Sequence, residues 1–330
     1  MGFRQFLILG VAVLFVGCAQ KVGIRFVQPA EIEQMSHNKK IIVASFGNDR
    51  FGVGSKIEAK LSNHKIEKKN YFEVKNNSKF QEILKKAKHT DITSNISEIA
   101  KIGELLDVDA IVLGDVGNLS SRRGYFYENR VRCADDKCKK MKRYIVRCVR
   151  ETTTLHADMK IVDVNDGGII YAKAIPASAT YKHCIDDRRT IPNRSYQGQY
   201  LSEIIARDFV YKLMPHYRYV DVSLLEDGEF DYNDEQQRYL DVALEYVKQQ
   251  RYKKAQHFFV KLIDATQQKS YVPFYNLGVL KESEGDYENA RKYYKKADEL
   301  MVEPVEEISR AVIRIEKMQQ NKEKTKEQLR

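Results

Sequence analysis

The sequence predicts an α+β domain, built on an α/β-type sheet with a long β-hairpin, followed by an all-α domain of helical repeats. In residues 98–116, apolar side chains first recur at helical spacing and then form the unbroken run 110–113. This change of period is typical of a helix that leads into a strand buried on both faces, which needs layers above and below it. Further on, Ala255 recurs as Ala290 within a pattern of six positions that repeats after 35 residues, which indicates helical repeats.

The first residues have the features of an export signal. Arg4 precedes the apolar run 6–16, which is shorter than the about 20 residues needed to cross a bilayer, and a glycine and Cys18 follow. This arrangement resembles the signal of bacterial lipoproteins, which implies that residues 1–17 are removed and that Cys18 is acylated. The alternative is an ordinary signal peptide with a chance cysteine.

The same resemblance implies a location for the mature protein. Ala19 follows the cysteine where some lipoproteins have aspartate, which implies the outer membrane, with the protein facing the periplasm. Residues 18–39 show no clear hydrophobic period, so we expect them to form a tether. Export also argues against a nucleic-acid partner.

Residues 40–228 are predicted to form the α+β domain. Strands are predicted near 41–46, 71–74, 110–113, 144–164, 169–184 and 219–225, and helices near 55–63, 80–87, 95–106 and 200–213. The glycine-rich loop 47–54 joins a strand to a helix, as a phosphate-binding loop does. However, Val53 stands where such a loop needs lysine, so we interpret the glycines as a turn with positive φ.

The cysteines that follow the export signal are predicted to form two disulfides. The turn 165–168 joins the two longest strands into a hairpin, and the register about it places Cys148 nearly opposite Cys184. In an oxidising compartment we therefore predict that Cys148 pairs with Cys184, which leaves Cys133 to pair with Cys138. A zinc site formed by all four is the alternative, but it needs closer spacing and a reducing compartment, so we predict no metal site.

Four features of the chain carry a family resemblance. They are the Cys18 signal, the predicted strand that begins at Ile41, the segment Lys101-Ile-Gly-Glu-Leu-Leu-Asp-Val-Asp-Ala-Ile-Val-Leu-Gly and the segment Met159-Lys-Ile-Val-Asp-Val-Asn-Asp-Gly. With them, residues 40–225 resemble the CsgG family of curli-secretion lipoproteins and the related TolB N-terminal-like periplasmic folds. The resemblance implies an α+β fold, assembly of several copies into rings, and two hairpins per subunit that enter the outer membrane.

The chain departs from that family where the membrane hairpins should lie, at about 120–158 and 176–197. Residues 122–150 hold eleven Lys or Arg against three Asp or Glu, a net charge of +8, and residues 180–199 are also rich in charge. Because a lipid-facing cation near the middle of a bilayer costs about 2–4 kcal/mol, we expect both insertions to remain in water. The segment 122–150 is then either a solvated ribbon or a docking surface for an acidic protein or an anionic envelope polymer.

Residues 234–318 are predicted to form the helical repeat domain. They resemble tetratricopeptide repeats, with Asn276-Leu-Gly in one repeat and an amphipathic helix after Pro304 that caps the stack. Such repeats bind peptides or helices along a concave face. We predict that the following side chains line this face or, alternatively, belong to the core: Leu240, Leu244, Tyr275 and Val279. Residues 319–330 are charged and lack an apolar period, so we expect a disordered tail.

No arrangement of residues in the sequence indicates catalysis. Seven histidines are scattered along the chain, without a paired carboxylate or a nucleophile motif, so we expect neither enzyme activity nor a cofactor. The favoured interpretation is a lipid-anchored periplasmic adaptor that forms homo-oligomers and recruits an envelope protein through its repeats. The alternative is a CsgG-type component of a secretion channel in the outer membrane.

Overall fold

The computed structural model describes residues 20–66, 68–86 and 95–330, which divide into two compact units. The α/β unit comprises Gln28–His216 together with Lys324–Arg330. The helical unit comprises the described residues up to Val27 together with Tyr217–Glu323. The predicted signal peptide and the predicted acylation site Cys18 lie outside the described residues.

The strands and helices follow one another in chain order. They begin with β1 (Lys21–Gln28), a 3-10 helix (Glu33–Ser36), β2 (Lys40–Val43), α1 (Val53–Asn63), β3 (Lys65–Ile66), β4 (Lys69–Asn70), β5 (Glu73–Val74), α2 (Ser78–Lys86), α3 (Ile96–Leu105), β6 (Ala110–Val116), β7 (Ser120–Cys133), β8 (Met141–Asp163) and β9 (Ile169–Cys184). They continue with α4 (Arg194–Leu213), β10 (His216–Ser223), α5 (Asp234–Lys248), α6 (Tyr252–Ala265), α7 (Tyr271–Ser283), α8 (Tyr287–Leu300) and α9 (Glu306–Gln328).

The main sheet of the α/β unit has the strand order β5-β2-β6-β8-β7, and β9 lies on the other edge of β8. Strand β2 is parallel to β5 and β6, whereas β6, β7 and β9 are antiparallel to β8. One face of the sheet packs on α1 and α4 around Val112 and Phe209, and the other packs on α2 and α3 around Ile111 and Ile99. The predicted α+β architecture, with a buried central strand between helical layers, is therefore confirmed.

The long hairpin is also present. Its turn contains Gly167 with a φ of +68°, a conformation that glycine adopts without steric cost. A β-bulge between Ile161 and Val162 shifts the register of β8 against β9, and beyond it Cys148 lies directly opposite Cys184.

In the helical unit, α5 packs against α6 and α7 packs against α8, and α9 adds its apolar side to the same core. The contact between α7 and α8 depends on Gly278, because a Cβ at this position would meet the ring of Tyr294. Only glycine therefore allows these two helices to approach so closely. The paired helices confirm the predicted all-α second part of the fold.

The segment that was predicted to be a tether differs in the structure. It contains β1, in which Val22 and Ile24 are buried in alternation, and β1 pairs with β10 in a two-stranded sheet. Val222 of β10 is buried with them in the core of the helical unit, so β10 does not close the α/β unit as the sequence suggested. A single glycine separates the two buried positions of β1, and so short an alternation is a weak strand signal.

The tail predicted to be disordered from residue 319 differs as well. Helix α9 continues to Gln328, and Thr325 and Gln328 are buried. The side chain of Gln328 accepts a hydrogen bond from the Ala30 amide at 2.8 Å and donates one to the Ala30 carbonyl at 3.1 Å. Because backbone groups satisfy the buried amide, the polar composition of the tail does not reveal its burial.

Candidate interaction surfaces

The residues predicted to line a concave binding face lie mostly in the core of the helical unit. Leu240, Tyr275 and Val279 are at most 1% exposed, and Leu244 is half-buried against the same core. The hydroxyl of Tyr275 donates a hydrogen bond to the Ser223 carbonyl at 2.8 Å. Among the alternatives left open by the sequence, the structure thus favours the core for these side chains, since three of them present no surface to a partner.

The end of β10 and the residues that follow it lie along α7. From the sequence, a peptide or helix of a partner was expected to bind the repeats along such a face. The side chain of Asn276 accepts a hydrogen bond from the Leu225 amide at 3.0 Å and donates one to the Leu225 carbonyl at 2.8 Å. Val222 and Leu224 contribute to the same core. The continuation of β10 is therefore held on α7 by backbone recognition and by apolar packing.

The outer side of α5 and α6 carries a cluster of aromatic and cationic side chains. We call it the α5–α6 surface and define it by Tyr239, Tyr246, Arg251, Lys254, Phe258 and Lys261. The rings of Tyr246 and Phe258 stack with centroids 5.6 Å apart, and Lys261 Nζ lies 5.3 Å from the centroid of Phe258. Arg251 lies 5.0 Å from the centroid of Tyr246. Half-buried rings beside exposed cations suit an acidic partner with an apolar side chain.

The glycine-rich loop after β2 is closed by its own side chain. Asp49 accepts hydrogen bonds from the amides of Val53 at 2.8 Å and Gly54 at 2.9 Å, at the start of α1. These are the amides that a phosphate group would need at a helix N-terminus. Because the carboxylate occupies them, the structure agrees with the interpretation of this loop as a turn.

Strand β7, the facing part of β8 and the end of β9 form an extended ribbon that we call the arm, residues 120–154 and 177–187. Disulfides join Cys148 to Cys184 and Cys133 to Cys138. The first links β8 to the last residue of β9 and is buried, whereas the second closes the turn between β7 and β8. The tip of the ribbon and its middle, where β9 ends, are therefore held covalently.

One face of the arm is covered by the residues that follow β9. Arg130 binds Glu128 at 3.1 Å, Asp186 at 2.7 Å and Asp187 at 2.8 Å. The hydrogen bond from Arg130 lowers the pKa of the Asp187 carboxyl, and the hydrogen bond from Tyr144 lowers that of Asp186. Acidic side chains thus neutralise Arg130 on this face.

The opposite face of the arm is open. It carries large apolar side chains that are between 55% and 71% exposed: Tyr125, Tyr127, Val131, Met141 and Ile145. The register places them on one side, since Tyr127 faces Arg147 and Val131 faces Arg143, and directly opposed residues of a sheet share a face. Arg147 lies 4.6 Å from the centroid of the Tyr125 ring. We call this side the open face of the arm.

Among the described residues, one group of three potential metal ligands lies together, formed by Glu128, Cys148 and Cys184. Its two sulfur atoms are joined to each other in the disulfide, so they are not available as thiolate ligands. None of the helices in the described part of the chain has the length and apolar character that a transmembrane helix needs.

Comparison with known protein families identifies one segment of the helical unit. The family model of the tetratricopeptide repeat matches residues 273–300, which contain most of α7 and all of α8. No curated protein matches the chain in sequence.

Solved structures with some similarity include lipoprotein GNA1162 from Neisseria meningitidis, at 16% identity and a TM-score of 0.27 over 52% of this chain and 98% of that one. They also include a dodecamer of a PelC variant from Paraburkholderia phytofirmans, at 11% identity and a TM-score of 0.26 over 58% of this chain and 98% of that one.

Proposed function

We propose that this protein is a non-catalytic adaptor of a bacterial envelope, anchored in the outer membrane through an acylated Cys18 and facing the periplasm. The observation that supports an adaptor most directly is the stack of paired helices, one pair of which matches the tetratricopeptide repeat. Repeats of this kind present extended surfaces to other proteins. The partner is then a periplasmic or envelope protein.

The α5–α6 surface is the part of the stack that we assign to this partner. Its rings of Tyr239, Tyr246 and Phe258 pack on the core from one side only, and three cations surround them. Aromatic and arginine side chains contribute most of the binding energy in protein interfaces. This assignment replaces Leu240, Tyr275 and Val279, which are buried.

Two further observations support an exported protein that works in several copies. The two disulfides suit an oxidising compartment such as the periplasm. The resemblance of residues 40–225 to the CsgG family implies assembly of identical copies, and we expect homo-oligomers after extraction from the membrane.

A photo-crosslinking experiment in living cells tests the adaptor role. A photoreactive phenylalanine analogue is placed at Tyr246 of the full chain or, as a control, at Tyr219, a 74% exposed tyrosine of β10 in the same unit. We expect a discrete adduct from position 246 that is absent at position 219 and is lost when Lys254→Glu and Lys261→Glu are added. The same adducts from both positions, or an adduct unaffected by the charge reversals, would contradict the assignment.

The anchor is tested separately with Cys18→Ser. We expect the wild-type chain to incorporate a labelled fatty acid and to sediment with the outer membrane, and the variant to take up no label. Label in the variant would show that Cys18 is not the acylated residue.

A further inference from the structure

We propose that the open face of the arm binds a membrane surface that carries anionic lipid headgroups. The inference rests on the proposed function only in placing the protein at an envelope membrane. Its physical basis is a row of exposed apolar side chains interleaved with unopposed cations on one side of a ribbon that two disulfides hold in shape.

The exposed apolar side chains on this face lie on adjacent strands and form one continuous patch. Ile145 is 69% exposed and Met141 59% exposed on β8, while Val131 is 55% exposed on the adjacent β7. Tyr125 and Tyr127 continue the row toward the sheet. Contiguous exposed apolar surface of this kind marks a site of protein or membrane interaction.

The charge on this face has one sign. Along β7 and the facing part of β8, which the structure describes completely, Glu151 is the only acidic side chain on this side, and it is 3% exposed. Glu151 is bound by Arg123 and Gln197. Arg143 and Arg147 therefore face outward without an exposed carboxylate beside them, and each cation near an anionic leaflet contributes about 1 kcal/mol of attraction.

The composition of this face favours a lipid surface over an acidic protein as the occupant. Tyrosine and arginine flank aliphatic side chains, the combination that locates at the boundary between headgroups and acyl chains. The ribbon is only two strands wide beyond Cys184, where β9 ends. The outer edge of β7 pairs with no other strand of the described sheet, so its amides and carbonyls need water or headgroups. The ribbon should consequently lie in the headgroup layer, with its cations in contact with water and phosphate.

The absence of tryptophan from the whole chain allows a direct test. Ile145→Trp and the matched control Ile313→Trp each introduce a single tryptophan, at positions of β8 and α9 that are both 69% exposed. Both variants are prepared from residue 19 onward, which keeps every described residue and removes the anchor. They are mixed with vesicles of phosphatidylcholine, with or without phosphatidylglycerol.

With anionic vesicles, we expect the emission of Ile145→Trp to shift to the blue and to be quenched by brominated lipid, and that of Ile313→Trp to remain unchanged. Adding Arg143→Ala and Arg147→Ala should weaken binding about thirtyfold, and added salt should weaken it as well. As a charge control, Lys253→Ala with Lys292→Ala removes two exposed lysines of the helical unit and should leave binding within about twofold.

Three results would overturn the proposal: no change at position 145, equal binding to neutral vesicles, or binding that survives the loss of both arginines. Binding of an acidic polyglutamate peptide without any binding to vesicles would assign the face to an acidic protein instead. Each variant alters exposed side chains, and unchanged circular dichroism verifies that it is folded. Failure of this experiment leaves the crosslinking at Tyr246 unaffected, so the two proposals stand or fall separately.

Discussion

The helical stack and the arm use the same residue types in opposite ways. In the stack, Tyr275 and Tyr294 are 1% exposed and hydrogen-bonded, and they hold α7 and α8 together. In the arm, Tyr125 and Tyr127 are 65% and 71% exposed. The comparison teaches that aromatic residues among cations do not by themselves indicate a binding surface. Strand register and helix packing decide which rings are buried and which are exposed. The stack is stabilised by its core, and the arm by strand pairing and disulfides.

The two regions also differ in the burial of one ion pair in each, since the pair in the stack is buried and the pair in the arm is exposed. In the stack, the carboxylate of Glu282 is fully buried and accepts hydrogen bonds from Arg314 at 2.7 and 2.8 Å and from Tyr294 at 2.5 Å. In the arm, Glu128 binds Arg130 at the surface with 38% of its side chain exposed. Removing one partner of a buried pair leaves a desolvated charge behind, whereas an exposed pair exchanges its contact for water.

The largest expected difference follows from these two glutamates. Glu282→Ala should lower the free energy of unfolding by about 3–5 kcal/mol, because Arg314 and Tyr294 lose their acceptor inside the core. Glu128→Ala, the matched change in the arm, should lower it by less than about 1 kcal/mol. Urea titration followed by circular dichroism measures both. Equal losses would mean that the contrast between the two regions is wrong.

Much of this contrast lies beyond what the sequence can predict. The central helix and strand of the α/β unit, the hairpin turn at Gly167 and the paired helices all follow local periods, and the structure contains them. The burial of Tyr275 does not follow from its spacing, because a position on the inner side of α7 is either groove or core depending on what packs there. Strand β10 and the segment after it pack on the inner side of α7. The sequence had placed both in the α+β domain, so their contact with α7 was not expected.

The open face of the arm shows a second limit. The cations and aromatic residues between 122 and 150 are evident in the sequence, and a docking surface was one of two interpretations. Which of them share a face depends on the register of β7 against β8. A slip of one residue would place Ile145 and Tyr127 on opposite faces of the ribbon, with Ile145 on the same face as Arg130. Sequence period alone does not determine this register, since both strands are charged on both faces.

The disulfides provide the second expected effect, confined to the arm. Loss of the Cys148–Cys184 bond, by changing both residues to alanine, should cost about 4 kcal/mol, because it closes a loop of sequence separation 36. Loss of Cys133–Cys138, with a separation of 5, should cost about 2 kcal/mol. Urea titration gives the totals, and hydrogen exchange of residues 177–187 should accelerate only in the first variant. Equal costs for the two bonds would contradict the loop-length argument.

The smallest expected effect concerns the tyrosines of the stack and depends on pH. Burial raises the pKa of Tyr275 above its ordinary value of 10, so the folded protein keeps this proton at a pH where the unfolded chain releases it. The stabilisation by Tyr275 is therefore complete below pH 10 and is lost as the pH rises above it.

At pH 7, Tyr275→Phe should lower the free energy of unfolding by about 1 kcal/mol through the lost hydrogen bond to Ser223. Above pH 10 this cost should shrink, because phenylalanine has no proton to release. Tyr219→Phe, at an exposed site of the same unit, should leave stability unchanged at both pH values. A cost for Tyr275→Phe that does not vary with pH would show that the hydroxyl of Tyr275 contributes only its hydrogen bond.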